Sequence, residues 1–401
     1  VHAEPAPIRD AAAPPPRRPR ILHVITSLDA DGAQAMLCKL LAATERSPSD
    51  LAVVSLTGPG PLGPRIEALG IRVHALHMGS PPTVARGLAR LARLVRAMRP
   101  DLIQGWMYHA NLAALLARTL ARARVPVVWN IRHTPHRLAY EKRLTAATIR
   151  LGAWCSGHAE RIVYVAEESA ARHEALGYRP DRRLVIPNGF DTGRFAPSTP
   201  ARVELRSGLG LAPSTVLIGQ VCRYHPLKDH AGFLRAAALL SRSRPDARFV
   251  LAGRGLDRSN TAVLGLVREL GLVERVHLLG ETSDPARLLA GLDIATLASY
   301  SGEGFPNVIG EAMSCGVPCV VTDVGASARL VDGTGRVVPA REPAALARAW
   351  SELIDLGPEG RAALGVAARR RIQDHFALPA VVARYEALYE DVAWRGRESS
   401  R

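Results

Sequence analysis

Residues 216–243 read VLIGQVCRYHPLKDHAGFLRAAALLSRS, and this stretch decides the fold. Its opening, 216–222, is a short apolar run, which reads as a buried strand. A charged, proline-bearing turn follows, and from 228 to 243 the apolar residues recur at helical spacing. The same unit then repeats. Strands are predicted at 248–252, 275–280, 293–298 and 318–322, and helices at 260–271, 307–316, 343–356 and 360–375. Upstream, strands fall at 20–26, 51–57, 71–77, 101–105, 125–131, 161–165 and 183–187, with helices at 33–44, 84–99, 109–122, 140–157 and 166–177. Alternation at this spacing means βαβ crossovers and parallel sheets covered by helices on both faces.

Two such runs in 401 residues predict an α/β protein of two doubly wound, Rossmann-like domains. The break falls in 190–213, where FDTGRFAPSTP concentrates Gly, Pro, Ser and Thr. The expected divisions are a disordered basic tail at 1–19, an N-terminal domain at 20–195 and a C-terminal domain at 196–378. A last helix, 380–394, lies within 379–401. A hydrophobic content of 47% excludes a wholly disordered chain, and no charge-free apolar stretch of about 18 residues predicts a membrane span. The five cysteines are odd in number and form no CxxC pair, so neither a disulfide scaffold nor structural zinc is expected, and a reducing compartment fits better. The N-terminus shows no secretory leader pattern, so the expected location is cytoplasmic.

Lys and Arg total 52 against 37 acidic residues, a net charge of +15, which points to an anionic partner: nucleic acid, a membrane surface or a phosphorylated substrate. Most of the excess lies in residues 1–195, whereas 196–401 are nearly balanced. Only Lys39, Lys142 and Lys228 are lysines; every other basic side chain is arginine. The segment 84–99 is a basic amphipathic helix: Leu88, Leu91, Leu94, Val95 and Met98 share one face and Arg86, Arg90, Arg93 and Arg96 the opposite one. It suits packing on a sheet, or docking on anionic lipid.

Ligands in open α/β sheets sit beyond the carboxyl ends of strands, so the loops after strands hold the candidate chemistry. Gly302-Glu303-Gly304-Phe305-Pro306-Asn307-Val308-Ile309-Gly310-Glu311 places one carboxylate in a Gly/Pro loop and a second inside the helix that follows. A helix N-terminus suits a phosphate, and carboxylates accept hydrogen bonds from sugar or ribose hydroxyls. Arg223 and Lys228 follow the strand 216–222, where a guanidinium and an ammonium can clamp a diphosphate. Lys228 is also the only lysine of its half. Gly32 offers close backbone approach after the first strand. Asp29-Ala30-Asp31 has a metal-compatible spacing, but so short a match is cheap and no metal is assigned. Gly58-x-Gly60-x-x-Gly63 contains two prolines and lacks the distal acidic residue of a dinucleotide site, so it reads as a turn. His109 follows the strand 101–105, either as a site residue or as a cap or core histidine; Arg132, His133 and His136 are candidates to line the same cleft.

EGFPNVIGEAMSCGVPCVVTDVG (303–325) resembles the E-x7-E region of the retaining glycosyltransferases of family 4, which have the GT-B fold. IPNGFDTGRFAP, GQVCRYHPLKDHAGFLRAAALL, FVLAGRG and ILHVITSLDADGAQAML resemble that family's interdomain segment, Arg/Lys region, next strand-turn and N-terminal Gly loop, in the right order. WMYHANL and VVWNIRH resemble its bacterial polysaccharide-assembly members. The resemblance implies two domains facing across a cleft, with the last helix crossing back to the first. It implies retaining, metal-independent transfer of a hexose from a UDP- or GDP-sugar to a saccharide or lipid-linked saccharide, without a cofactor. Arg223 and Lys228 would bind the diphosphate, Glu303 the transferred sugar and Glu311 the ribose. Phe305, Pro306, Asn307 and Val308 would frame the phosphates, although Pro306 has no N–H to give. Gly32 would lie near the diphosphate, and His109 would face the sugar from the first domain. The sequence departs from the family where Asp31 precedes Gly32 in place of a glycine pair, and where Ala328-Arg329-Leu330-Val331 stands at a position often Glu. The basic first domain fits peripheral contact with an anionic membrane. Rival readings are a GT-B sugar-nucleotide epimerase, a sugar-phosphate synthase, or a nucleic-acid-binding protein, although no nucleic-acid motif is visible.

Overall fold

The computed structural model describes residues 18–398 apart from 30, 31, 136 and 137; the predicted tail, Asp31 and His136 therefore lie outside the described residues. The first sheet contains β1 (Ile21–Ile25), β2 (Leu51–Ser55), β3 (Arg72–Ala75), β4 (Leu102–Trp106), β5 (Val127–Ile131), β6 (Arg161–Tyr164) and β7 (Arg183–Val185). The second contains β8 (Leu217–Val221), β9 (Arg248–Ala252), β10 (Val276–Gly280), β11 (Ile294–Leu297), β12 (Cys319–Thr322) and β13 (Gly335–Val338). Strand order is β3-β2-β1-β4-β5-β6-β7 and β10-β9-β8-β11-β12-β13, and the pairings are parallel. β1, β2, β4 and β5 are buried along their whole length, which is why they read as mostly apolar runs without alternation.

In both sheets the order reverses once, between β1 and β4 and between β8 and β11. These switch points open crevices beyond the strands' carboxyl ends. The sequence reading places the other strands to within about two residues but misses β13, whose four residues begin at Gly335 directly after Gly333-Thr334. It also read the helix Thr199–Gly208 as linker, because Ser198, Thr199 and Pro200 look like a loop; they are its N-cap and first turn. Arg206 on that helix is buried, donating to Asp293 Oδ2 at 2.5 Å and to the Gly291 carbonyl at 2.8 Å.

The basic amphipathic segment forms the helix Pro81–Met98. Leu91, Ala92 and Val95 are buried in the first domain's core, with Leu88, Leu94 and Met98 packed against it, so its apolar face is consumed by its own sheet.

The last helix, Leu378–Glu398, returns to the first domain. Val381, Val382, Tyr385, Leu388, Tyr389 and Val392 are buried with Ile21, Leu102 and Trp106. Each such side chain contributes roughly 1.5–3 kcal/mol when buried. Polar contacts set the helix's register. Asn130 Nδ2 donates to Tyr385 Oη at 2.9 Å, Arg132 donates to the same oxygen, and Tyr389 Oη donates to Gln104 Oε1 at 2.5 Å. Between the domains Phe305 stacks near Phe190 and meets Phe376 at a tilt, with ring centroids 6.2 and 5.2 Å apart.

Three buried histidines are held neutral. Burial takes the His23 pKa down to about 3, helped by the nearby Arg46 charge, and its Nδ1 accepts from the Trp106 indole at 3.2 Å. Burial takes His173 and His230 down to about 4. The unfolded chain protonates these groups at about pH 6.5 and the folded chain only well below it, so stability is complete above 6.5 and lost as pH falls toward 4. Denaturant melts should show ~2 kcal/mol lost per histidine by pH 5. A stability unchanged between pH 7 and 5 would refute this.

Candidate active site at the interdomain cleft

The second switch point is built by the loops after β8 and β11. Gln220, buried in β8, joins them: its amide donates to the Lys228 carbonyl at 2.9 Å and accepts from the Ala298 N–H at 3.2 Å. The Tyr300 N–H donates to the Leu227 carbonyl at 3.0 Å. These bonds bring Lys228 to Glu303, with Nζ 2.5 Å from Oε1, and Ser299 Oγ donates to the same oxygen at 2.6 Å. Burial opposes the Lys228 ammonium, but the Glu303 carboxylate outweighs it, so the lysine's pKa rises above its ordinary value. Arg223 is exposed one turn of chain earlier, close enough for its charge to act on Lys228.

Glycine shapes the loop bearing Glu303. Gly302 has φ +80°, and Gly325 has φ +58° with no room for a side chain: a Cβ there would lie 1.9 Å from the Glu303 carbonyl oxygen. The helix Asn307–Ser314 then begins with Pro306 as N-cap. Phe305 is buried in the interdomain core rather than turned to the cleft, and its carbonyl accepts from Asn188 Nδ2 at 2.9 Å. Val308 packs partly buried beside that core. Asn307 Nδ2 lies 3.5 Å from the Gly32 carbonyl, so the first domain's glycine loop and this helix N-terminus meet. Glu311, one turn on, accepts from Lys39 Nζ at 2.7 Å across the domain boundary.

At the first switch point, Met107 follows β4 as the N-cap of the next helix with φ +69°, a strained conformation for a residue with a Cβ. The helix Tyr108–Ala121 starts there. His109 is half-buried, with Nε2 3.2 Å from Thr148 Oγ1 and its pKa lowered by burial. Tyr108 Oη lies 2.8 Å from His173 Nε2 and 3.1 Å from His133 Nδ1, and His133 Nε2 is 3.4 Å from Glu141 Oε1. Burial lowers the His133 pKa, opposed by the charges of Glu141 and Glu303. Thr134, Glu168 and Arg172 face Glu303, Tyr300 and Asp323 across a cavity of about 590 Å³. His109 is not among the residues lining that cavity. Gln220, Ser299 and Lys39 escaped sequence reading: Gln220 sits inside the apolar strand β8, Ser299 follows β11 by two residues, and Lys39 is remote in sequence from its partner. Lysine scarcity was the one available signal for Lys39.

The outer face of the first domain carries an unusual surface. On the helix Arg143–Cys155, Trp154 is 83% and Leu144 71% exposed, with Leu151 beside them. Leu116 and Leu120 are exposed on the adjacent helix Tyr108–Ala121. Arg143 and Arg150 are exposed on the same face. Among the described residues, no helix is long and apolar enough to cross a membrane.

A model of Glycosyltransferase Family 4 matches residues 30–194, and one of Glycosyl transferases group 1 matches 213–355. The D-inositol 3-phosphate glycosyltransferase of Nocardia farcinica is 35% identical over 275 residues, covering 63% of this chain and 58% of that one. The UDP-Gal:alpha-D-GlcNAc-diphosphoundecaprenol alpha-1,3-galactosyltransferase of Escherichia coli is 29% identical over 254 residues, 61% of this chain and 64% of that one. The chain thus spans less than two thirds of the length of these relatives. Among solved structures, Anabaena HepE in complex with UDP superposes with a TM-score of 0.82 at 22% identity, covering 93% of this chain and all of that one, a likeness of fold.

The Gly325 contact yields a direct test. Gly325→Ala combines a positive φ with a backbone clash, so chemical denaturation should show a loss of about 2–4 kcal/mol. Unaltered stability would mean that the Glu303 loop is not built on this glycine.

Proposed function

The chain belongs to the family 4 glycosyltransferases of GT-B fold, and on that premise we propose that it moves a hexose-type sugar, with retention, from a nucleotide-sugar donor (UDP or GDP) to a saccharide or lipid-linked saccharide acceptor in polysaccharide or glycolipid synthesis. The observation that carries this reading is the Lys228–Glu303 pair at the second switch point, beside the helix N-terminus at Asn307. In this reading Arg223, Lys228 and the first N–H groups of the helix hold the diphosphate, while Glu311 accepts from the ribose hydroxyls. Glu303 keeps one oxygen on Lys228 and Ser299 and turns the other to the sugar. Gly32 lies near the diphosphate, and His109 approaches from the first domain, its ring oriented by Thr148.

Attack proceeds on the face the diphosphate leaves. The acceptor oxygen bonds to the anomeric carbon as the carbon–oxygen bond to phosphate breaks, its electron pair passing to the phosphate. The acceptor's proton goes to a leaving-group oxygen, so Glu303 positions sugar and is not a nucleophile. Arg223, Lys228 and the helix dipole stabilise the developing negative charge, the task a divalent ion performs in other transferases. Domain closure keeps out water, since hydrolysis competes. The acceptor side supports contact with anionic lipid: Leu144, Leu151 and Trp154 stand outward beside Arg143 and Arg150, next to the helix that carries His109. The Escherichia coli relative's name specifies a lipid diphosphate acceptor.

A thermal-shift panel of UDP-, GDP- and ADP-sugars should pick out one donor, and released nucleotide should report turnover. Glu303→Gln and Lys228→Met should each lower kcat/KM by about a hundredfold or more while the protein stays folded. Undiminished turnover in both would sink the assignment, and a free epimerised sugar-nucleotide or a sugar phosphate as sole product would favour the rival enzymes. The chain should co-float with vesicles containing phosphatidylglycerol and not with neutral ones, and Trp154→Ala with Leu151→Ser should weaken this several-fold. Flotation unaffected by lipid charge or by these substitutions would remove the membrane from the proposal.

A further inference from the structure

Lys39 lies on the helix Gly32–Ala43 of the first domain, yet its ammonium is 2.7 Å from Glu311 Oε1 on the second. Both side chains are largely covered, at 19% and 15% exposure, so solvent screens the pair little. The ammonium also lies 5.7 Å from the centre of the Phe190 ring and 6.0 Å from that of Phe195, both in the segment joining the two sheets. The cation is therefore held on two sides by aromatic faces and on a third by a carboxylate. Among the described residues no hydrogen bond reaches Glu311 Oε2. Glu303 is arranged the same way: its Oε1 takes Lys228 and Ser299. Two of the chain's three lysines thus sit on the two carboxylates of the E-x7-E segment, in a protein that otherwise uses arginine. A guanidinium would span both oxygens of a carboxylate; an ammonium is a point charge that can hold one and leave the other.

We propose that Lys39 is a positioning residue for the donor's ribose: by tying Oε1 of Glu311 from the opposite domain, it aims Oε2 at a vicinal diol and couples donor affinity to closure of the cleft. The proposal rests on the reading of Glu311 as the ribose acceptor. Lys39 touches neither the anomeric carbon nor the diphosphate in this scheme, so its effect falls on binding of the ribose and not on the chemical step.

The test is calorimetric, with UDP or GDP, whichever the wild-type protein binds more tightly, and the 2′,3′-dideoxy form of the same nucleotide. Lys39→Met should weaken the ribonucleotide about tenfold and the dideoxynucleotide less than twofold. Lys39→Arg, whose fork would take both oxygens of Glu311, should recover less than half of the loss, whereas full recovery would overturn the argument from a point charge; Lys39→Met in a Glu311→Gln background should add nothing further. Lys39→Gln serves as the second neutral variant, and melting curves establish that each variant is folded. Full affinity in Lys39→Met alongside a loss in Glu311→Gln overturns the role of Lys39 and leaves Glu311 standing. Equal weakening of both nucleotides also overturns it, because the side chain would then act other than through the ribose. If wild type binds both nucleotides alike and Glu311→Gln has no effect, the ribose assignment itself fails, and the proposal with it.

Discussion

Within each sheet of this molecule the strands run parallel, so the loops that follow them leave at one edge. That polarity determines where chemistry can occur. A parallel sheet buried on both faces has no polar surface of its own, and functional groups gather where strand order reverses and two loops diverge. At one reversal the chain places Met107, Tyr108 and His109; at the other, Arg223, Lys228 and Glu303. The last helix returns to the first domain, so the two crevices stand opposite each other in one chain. Tyr385 and Tyr389 do more than fill space in that return: their hydroxyls meet Asn130, Arg132 and Gln104 on the first sheet, which sets the helix's register where apolar packing alone would tolerate a slip.

Electrostatics then decides how an anion is received. Two carboxylates beside a diphosphate would repel it if both stood bare. Here each is matched by an ammonium, Lys228 on Glu303 and Lys39 on Glu311. Arg223 and the N-terminus of the Asn307–Ser314 helix lie on the second domain's side of the crevice, and Arg172 lines it from the first. The large net charge of the chain is a different matter, since most of it lies in the first domain, on side chains such as Arg86, Arg90, Arg93 and Arg96 that face solvent. The second half of the chain is near-balanced.

The layers of this fold were legible because buried parallel strands announce themselves as apolar runs, and the turn after 216–222 announces itself by its charges. Short elements were not. β13 and the helix Thr199–Gly208 lack the length for a periodic signal, and the latter opens on Ser-Thr-Pro, a signature shared by linkers and helix starts. At the site, residue type identified Glu303, Glu311, Arg223 and Lys228, and the structure brings Glu303 to Lys228 and Glu311 to Lys39. It could not identify which side of a residue faces the cleft. Phe305 lies within the Gly/Pro loop, yet its ring is drawn into the core by Phe190 and Phe376. His109 lies at the strand end, yet its ring meets Thr148. The amphipathic helix likewise had one apolar face and two possible uses, and only packing shows that the sheet takes it.

The pairing of Lys39 with Glu311 belongs to a kind of contact that sequence pattern cannot reach. Its partners lie in different domains, and neither residue occupies a strand end or a glycine turn. The usual signals of local spacing are therefore silent. A compositional signal remains: where arginine is used almost throughout, the few lysines mark places at which a point charge differs in consequence from a planar fork. At Lys228 the ammonium takes one oxygen of Glu303 and shares it with the Ser299 hydroxyl. At Lys39 the same chemistry is repeated from the opposing domain, and the aromatic rings of Phe190 and Phe195 hold the cation close to the segment that joins the two sheets. A contact so placed makes the geometry of Glu311 depend on how far the cleft is closed, which a residue within the second domain could not do.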